Sequence, residues 1–167
     1  MTRFQLLLGI GTGLLAASTL RAAEVPVRVE AAPVAGPRTL EQQSKEAVIR
    51  DYLRAWESFR GALEHNRPEL LAADFVGTAR DTLANTVQQQ AQLGMHTRYQ
   101  DLSHDLQILF YSPDGLSIEL ADKVDYEVQV VDHDKVITTQ RESSRYLVVL
   151  TPAEVRWKVR IFQSVPE

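Results

Sequence analysis

Between Ile118 and Val130 the even positions Ile118, Leu120, Val124, Tyr126, Val128 and Val130 are apolar, with Glu119, Lys123, Asp125, Glu127 and Gln129 between them. Neighbouring side chains of a strand point to opposite faces, so the segment predicts a strand with one apolar and one wet face. Asp122 falls in the apolar row and is the one charge that reads inward. Asp132-His133-Asp134-Lys135 breaks the pattern as a turn would. Val136 to Leu150 resumes it with β-branched and aromatic residues. After a second turn at Thr151-Pro152-Ala153-Glu154, Val155, Trp157, Val159 and Ile161 alternate with Arg156, Lys158 and Arg160. Strands of this length curl and carry a bulge, expected at Asp122 and at Glu142-Ser143-Ser144.

The first half has helical periodicity. Val48, Tyr52, Trp56, Phe59 and Leu63 are spaced by four, four, three and four, which marks one face of a helix running from about Leu40 to His65. Asn66-Arg67-Pro68 ends it, because proline disfavours helix at the residue before it. Pro68 suits the first turn of a short second helix reaching Phe75, with Gly77 at its end. Thr78 reads as the N-cap of a third helix, Ala79 to Leu93, which packs through Leu83, Val87 and Ala91 and ends at Gly94. A short strand is expected around Thr97–Asp101. Leu106, Ile108 and Phe110 give another, closed by the turn Ser112-Pro113-Asp114-Gly115. The fold class is α+β: three N-terminal helices on a strongly curved antiparallel sheet of four to five strands.

The N-terminus reads as a secretory signal peptide over residues 1–23. It has a basic start at Arg3, an apolar stretch from Leu6 to Ala17 and a small-residue end at Ala22-Ala23. The apolar run is shorter than the roughly 20 residues a membrane-spanning helix needs. Export to a periplasmic or extracellular location is therefore expected, with no membrane insertion after cleavage; an uncleaved N-terminal anchor is the alternative. Residues 24–39, with Pro26, Pro33 and Pro37, read as an extended linker, and 40–167 as a single domain. The chain contains no cysteine, so packing alone must hold it. Removing residues 1–23 takes Arg3 and Arg21 and no acid from 18 basic and 22 acidic side chains, leaving a formal charge of −6. An acidic chain argues against nucleic acid and anionic membrane as partners.

Ala47-Val48-Ile49-Arg50-Asp51-Tyr52-Leu53-Arg54-Ala55-Trp56 and His65-Asn66-Arg67-Pro68-Glu69-Leu70-Leu71-Ala72-Ala73-Asp74-Phe75, followed late in the chain by Trp157-Lys158-Val159, resemble the nuclear-transport-factor-2-like superfamily, which includes ketosteroid isomerase and the SnoaL-like proteins. The resemblance implies a curved sheet wrapped over the first helix, a cone-shaped pocket and dimers through the outer sheet face. The isomerase-like enzymes have a tyrosine about two turns before the tight turn, where this chain has Phe59; Tyr52 lies a further two turns back. Those enzymes next have a strand carrying an acidic base, where this chain predicts a helix from Thr78 to Gly94. The layout is closer to exported or membrane-tethered members that bind or scaffold, including periplasmic domains of secretion-system assembly proteins.

Asp122 is the best catalytic candidate, because a carboxylate in an apolar pocket has its pKa raised and can act as an acid or base. A bulge that turns it to solvent is the competing reading. Tyr52, Trp56, Phe59, His96, Tyr99, Asp122 and Tyr126 form the expected pocket lining, although an aromatic stripe at helical spacing is more often plain core. Asp132-His133-Asp134 reads as a solvated turn and His104-Asp105 offers no better ligand set, so no metal and no cofactor are expected. Ser143 and Ser144 lack a nucleophile turn. Arg141, Arg145, Arg156, Lys158 and Arg160 are read as a basic outer face, paired across strands with Glu119, Asp125 and Glu127 or forming part of a dimer face.

Together these readings point to an exported non-enzymatic domain that binds a small apolar ligand or a protein partner in or around the cone, as a homodimer. The alternatives are an isomerase- or dehydratase-like enzyme with Asp122 as general base, assisted by Tyr52 or His96, and a scaffold subunit of a cell-envelope complex.

Overall fold

A computed structural model describes residues 24–31 and 33–165. The signal-peptide reading falls on residues 1–23, outside the described residues. α1 spans Gln42–His65, a 3-10 turn covers Pro68–Ala73, and α2 spans Gly77–Gln92. The strands are β1 (Val27–Val29), β2 (Met95–Tyr111), β3 (Ile118–Asp132), β4 (Lys135–Pro152) and β5 (Trp157–Val165). They make one curved, unclosed sheet in the order β1-β2-β3-β4-β5, with β1 parallel to β2 and every other pair antiparallel. None of the described helices is long and apolar enough to cross a membrane.

The periodic face of α1 is the one buried: Val48, Tyr52, Ala55, Trp56, Phe59, Ala62 and Leu63 sit in the core. They meet the inward rows of the sheet, Leu106 and Ile108 on β2, Ile118, Leu120 and Val124 on β3, Val148 and Leu150 on β4, and Val159 on β5. Burying a side chain the size of Trp56 or Leu120 contributes about 2–3 kcal/mol each, so this contact is what fixes α1 across the sheet. Asn66 ends α1 in the left-handed conformation, with its N–H on the Ala62 carbonyl. Gly94, at φ +70°, closes α2 and turns the chain into β2. His133 takes φ 53° in the two-residue turn between β3 and β4, a conformation such hairpins require at their first central position.

Four details differ from the sequence reading. Met95 to Tyr111 is one strand of 17 residues rather than two short ones, because the register slips at Leu102 without ending the pairing. The register shifts fall at Asp101/Ser103, Ile108/Phe110, Val130/Val131 and Val149/Leu150, while pairing runs unbroken through Asp122 and through Glu142–Ser144. α2 starts two residues earlier than expected, after Val76 and with no side-chain cap from Thr78; it buries Ala79 and Val87 and leaves Ala91 exposed. The basic residues of the last hairpin are split: Arg156 Nη1 lies 3.1 Å from Asp74 Oδ1, and Lys158 Nζ donates to the Ala72 carbonyl at 3.0 Å, so both reach the helical layer. On the convex face Glu127 stands opposite Arg141 and Asp125 opposite Ser143, while Lys123 stands opposite Arg145.

Candidate functional site

Unbroken pairing of β3 on both sides keeps Asp122 in the inward row, and α1 brings Tyr52 down onto it across the hollow. Tyr52 Oη donates to Asp122 Oδ2 at 2.7 Å, and Trp56 Nε1, one helical turn on, donates to Tyr52 Oη at 2.7 Å. His104 Nδ1 reaches the same Asp122 Oδ2 at 2.8 Å, while its Nε2 lies 3.6 Å from Asp101 Oδ2. Arg60 Nε stands 3.4 Å from that Asp101 oxygen. A polar line therefore runs Trp56, Tyr52, Asp122, His104, Asp101, Arg60 through an apolar interior. It holds two carboxylates and, with the imidazole protonated, two cations.

The imidazole is held in that form. Burial alone lowers its pKa, but the hydrogen bonds and charges of Asp101 and Asp122 outweigh burial and push it up to about 9. Burial, followed by the Asp122 charge, raises the Tyr52 phenol well above its ordinary value, so Tyr52 keeps its proton, donating it to Asp122 while accepting from Trp56. Burial also pushes Tyr99 up to about 12 and Tyr146 higher still.

The line is enclosed by rings. Trp56 makes edge-to-face contacts with Phe59, His104, Tyr146 and Phe162, at centroid separations of 5.4–5.5 Å. Tyr146 and Phe162 stack at 4.7 Å, and Tyr99 lies between Phe59 and Tyr126. Tyr52 and Asp122 are each 0% exposed and Trp56 is 1% exposed, which leaves no water-sized space beside the carboxylate. Asp122 Oδ1, Asp101 Oδ1 and Arg60 Nε nonetheless have no hydrogen-bond partner among the described residues. Clefts open elsewhere: one of about 460 Å³ on the convex sheet face, lined by Glu30, Asp105, Gln107, Ala121, Lys123 and Arg145, and a groove of about 500 Å³ along α1 beside Ile49 and Leu53.

Of the residues expected to line a pocket, Tyr52, Trp56, Phe59, Tyr99, Asp122 and Tyr126 meet in or beside the hollow, packed on one another. His96 is half-buried near the start of β2, opposite Val131, and has no part in the polar line. Sequence reasoning missed His104, Asp101 and Arg60 on the polar side and Tyr146 and Phe162 among the rings. The missing signal was the extra residue Leu102. Strict alternation puts positions 101 and 104 on opposite faces, and the slip at Leu102 puts both inward.

Two solved structures share this architecture. The intermembrane-space region of the chloroplast protein ARC6 aligns with a TM-score of 0.63 and 13% identity, over 78% of this chain and 100% of that one. A scytalone dehydratase-like protein from Novosphingobium aromaticivorans aligns with a TM-score of 0.53 and 16% identity, over 75% of this chain and 89% of that one. The fold is nuclear-transport-factor-2-like. No protein-family model and no curated protein matches the sequence. The concave side of the sheet is filled by the chain's own rings.

Proposed function

We propose that this chain is an exported, non-enzymatic nuclear-transport-factor-2-like domain that binds a protein partner around the cone rather than a small molecule within it. The closed state of the hollow carries this reading: with Tyr52 and Asp122 wholly unexposed, a substrate has no room beside the one candidate base. The open clefts lie outside the hollow, on the convex sheet face and along α1, where a partner's side chains can reach them. Likeness to a region of a chloroplast protein that lies between two membranes accords with a role in an envelope compartment. The leader-like residues 1–23 support export.

The test is native mass spectrometry of the protein recovered from the exported fraction after mild cross-linking. The expected result is a protein partner in complex, no bound small molecule, and the same partner retained by Asp122→Asn. A small molecule that co-purifies with the wild type and is lost from Asp122→Asn would refute the reading.

One observation favours an enzyme of the isomerase or dehydratase kind instead. Tyr52, Asp122 and His104 form a hydrogen-bonded acid–base line in the hollow, within direct reach of one another. For that line to work, Tyr146 and Phe162 must swing away from Trp56 and admit a substrate to Asp122 Oδ1. Turnover of a small carbonyl or alcohol substrate that disappears in both Asp122→Asn and Tyr52→Phe is the result this second reading requires.

A further inference from the structure

β4 is twice as long as the strand that covers it. β5 pairs only with Arg145–Pro152, so the backbone of Lys135–Ser144 bonds to β3 on one side and, among the described residues, to nothing on the other. Eight of those ten residues are exposed and the other two, Thr138 and Ser144, are half-buried; Val136 and Ile137 are 43% and 56% exposed. The two outer strands of the sheet offer less. β1 is three residues long, and β5 is already bridged at Val159 by Phe75. A long row of unpaired N–H and C=O groups on a preformed strand is a template for another strand.

We propose that this edge binds a second copy of the chain, β4 against β4 in antiparallel fashion about a two-fold axis, which joins two five-stranded sheets into one of ten. Antiparallel pairing of an edge with itself satisfies two-fold symmetry without any further surface. A second copy also brings an edge that is already extended, so it loses less chain entropy than a flexible peptide would. Charge and the extent of the free edge together choose the register. Alternation requires facing residues to share a face, and from Thr138 to Ser144 β4 pairs with β3 without a slip. Centring on Arg141 or Glu142 would set like charges against each other on the axis. Centring on Gln140, the midpoint of Val136–Ser144, opposes Thr138 to Glu142 and Thr139 to Arg141 on both sides, with no like charges facing over that span. The slip near Val136 confines the irregular part of the edge to its end. This inference uses the backbone edge alone and does not depend on the partner reading above.

Two substitutions at one exposed residue test it with opposite signs. Thr139 stands opposite Gln129 within its own sheet, so either change leaves that pairing free of new charge contacts. Sedimentation equilibrium of the purified protein should show a monomer–dimer equilibrium that Thr139→Arg weakens about tenfold and Thr139→Glu strengthens about tenfold, because each contact occurs twice. Since the chain has no cysteine, Gln140→Cys provides a second readout. Facing residues on antiparallel strands lie about 4.5–5.5 Å apart, within disulfide reach. Under mild oxidation Gln140→Cys should therefore form a covalent dimer far faster than the exposed α2 variant Gln89→Cys. A protein that stays monomeric, a dimer indifferent to both Thr139 variants, or equal cross-linking at the two cysteines would each overturn the proposal. A monomeric pure protein whose edge pairs instead with an extended segment of another protein falls under the first of these outcomes.

Discussion

The interior holds buried carboxylates in two places, and they are treated differently. At the seam where the helical layer meets β5, Asp51 and Asp74 are 1% and 2% exposed. Asp51 accepts from the Trp157 amide at 2.9 Å and from Arg50, and Asp74 accepts from Ser58 and Arg156, so both oxygens of each have donors. In the hollow, Asp122 Oδ2 takes two donors, while among the described residues its Oδ1, Asp101 Oδ1 and Arg60 Nε have no hydrogen-bond partner, Arg60 Nε keeping only its ion pair with Asp101 Oδ2. The seam is complete: it ties the start of β5 to α1 and to the turn before α2, and each tie is satisfied locally. The hollow line depends on several groups from α1, β2 and β3 at once and leaves polar atoms unmet. An unmet buried polar atom costs about 1–3 kcal/mol, so the hollow gives up stability that the seam does not. That cost is tolerable only where packing enforces it, or where the group has another use.

The largest expected effect comes from removing the centre of the hollow line. His104→Ala leaves Asp122 and Asp101 without the cation between them in a dry interior, and urea unfolding should show a loss of about 3–5 kcal/mol. Asp74→Asn at the seam keeps an acceptor for Ser58 or Arg156 and should cost about 1–2 kcal/mol. Equal losses would mean that the two regions are not distinct in kind.

Next in size is a dependence on pH that belongs to the hollow. The His104 pKa rises from 6.5 unfolded to about 9 folded, so the folded state binds the proton more tightly. Its contribution is fully present below about pH 6.5 and is lost as pH rises through about 9. That difference corresponds to roughly 3 kcal/mol. Stability measured by urea unfolding should fall between pH 6.5 and 9, and His104→Asn should flatten the curve over that interval. A wild-type curve already flat there would place the imidazole in its neutral form and undo the charge balance described for the line.

How far this was readable from the sequence differs between the same two regions. Periodicity gave α1 its buried face because an uninterrupted helix keeps its spacing from Val48 to Leu63. Asp122 could be placed inward because β3 holds its alternation from Ile118 to Val130. The other half of the line was hidden by Leu102: one extra residue in β2 moves His104 to the same face as Asp101, and Asp101-Leu102-Ser103-His104 looks like a polar break between strands. Bulges respond to sheet curvature, a property of the assembled strands, and no local composition announces one. The seam was hidden for another reason. Its partners lie far apart in the chain, 106 residues for Asp51 and Trp157 and 82 for Asp74 and Arg156, so only the fold reveals that they touch.

The smallest prediction concerns coupling. Tyr52→Phe removes a donor from Asp122 and takes away the acceptor of Trp56 Nε1, for about 1–2 kcal/mol. Ser58→Ala at the seam removes one donor from Asp74, which keeps Arg156, and should cost about 1 kcal/mol or less. The costs overlap, so single variants do not separate the regions, but a double-mutant cycle does. Tyr52 and His104 donate to the same oxygen, so once one is gone Asp122 can shift toward the other. Tyr52→Phe with His104→Asn should therefore be non-additive by about 0.5–1 kcal/mol. Ser58 and Asp51 serve different partners, and Ser58→Ala with Asp51→Asn should add to within about 0.5 kcal/mol. An additive hollow and a coupled seam would invert the distinction, since a polar line through a low-dielectric interior acts as a unit only if each member feels the loss of another.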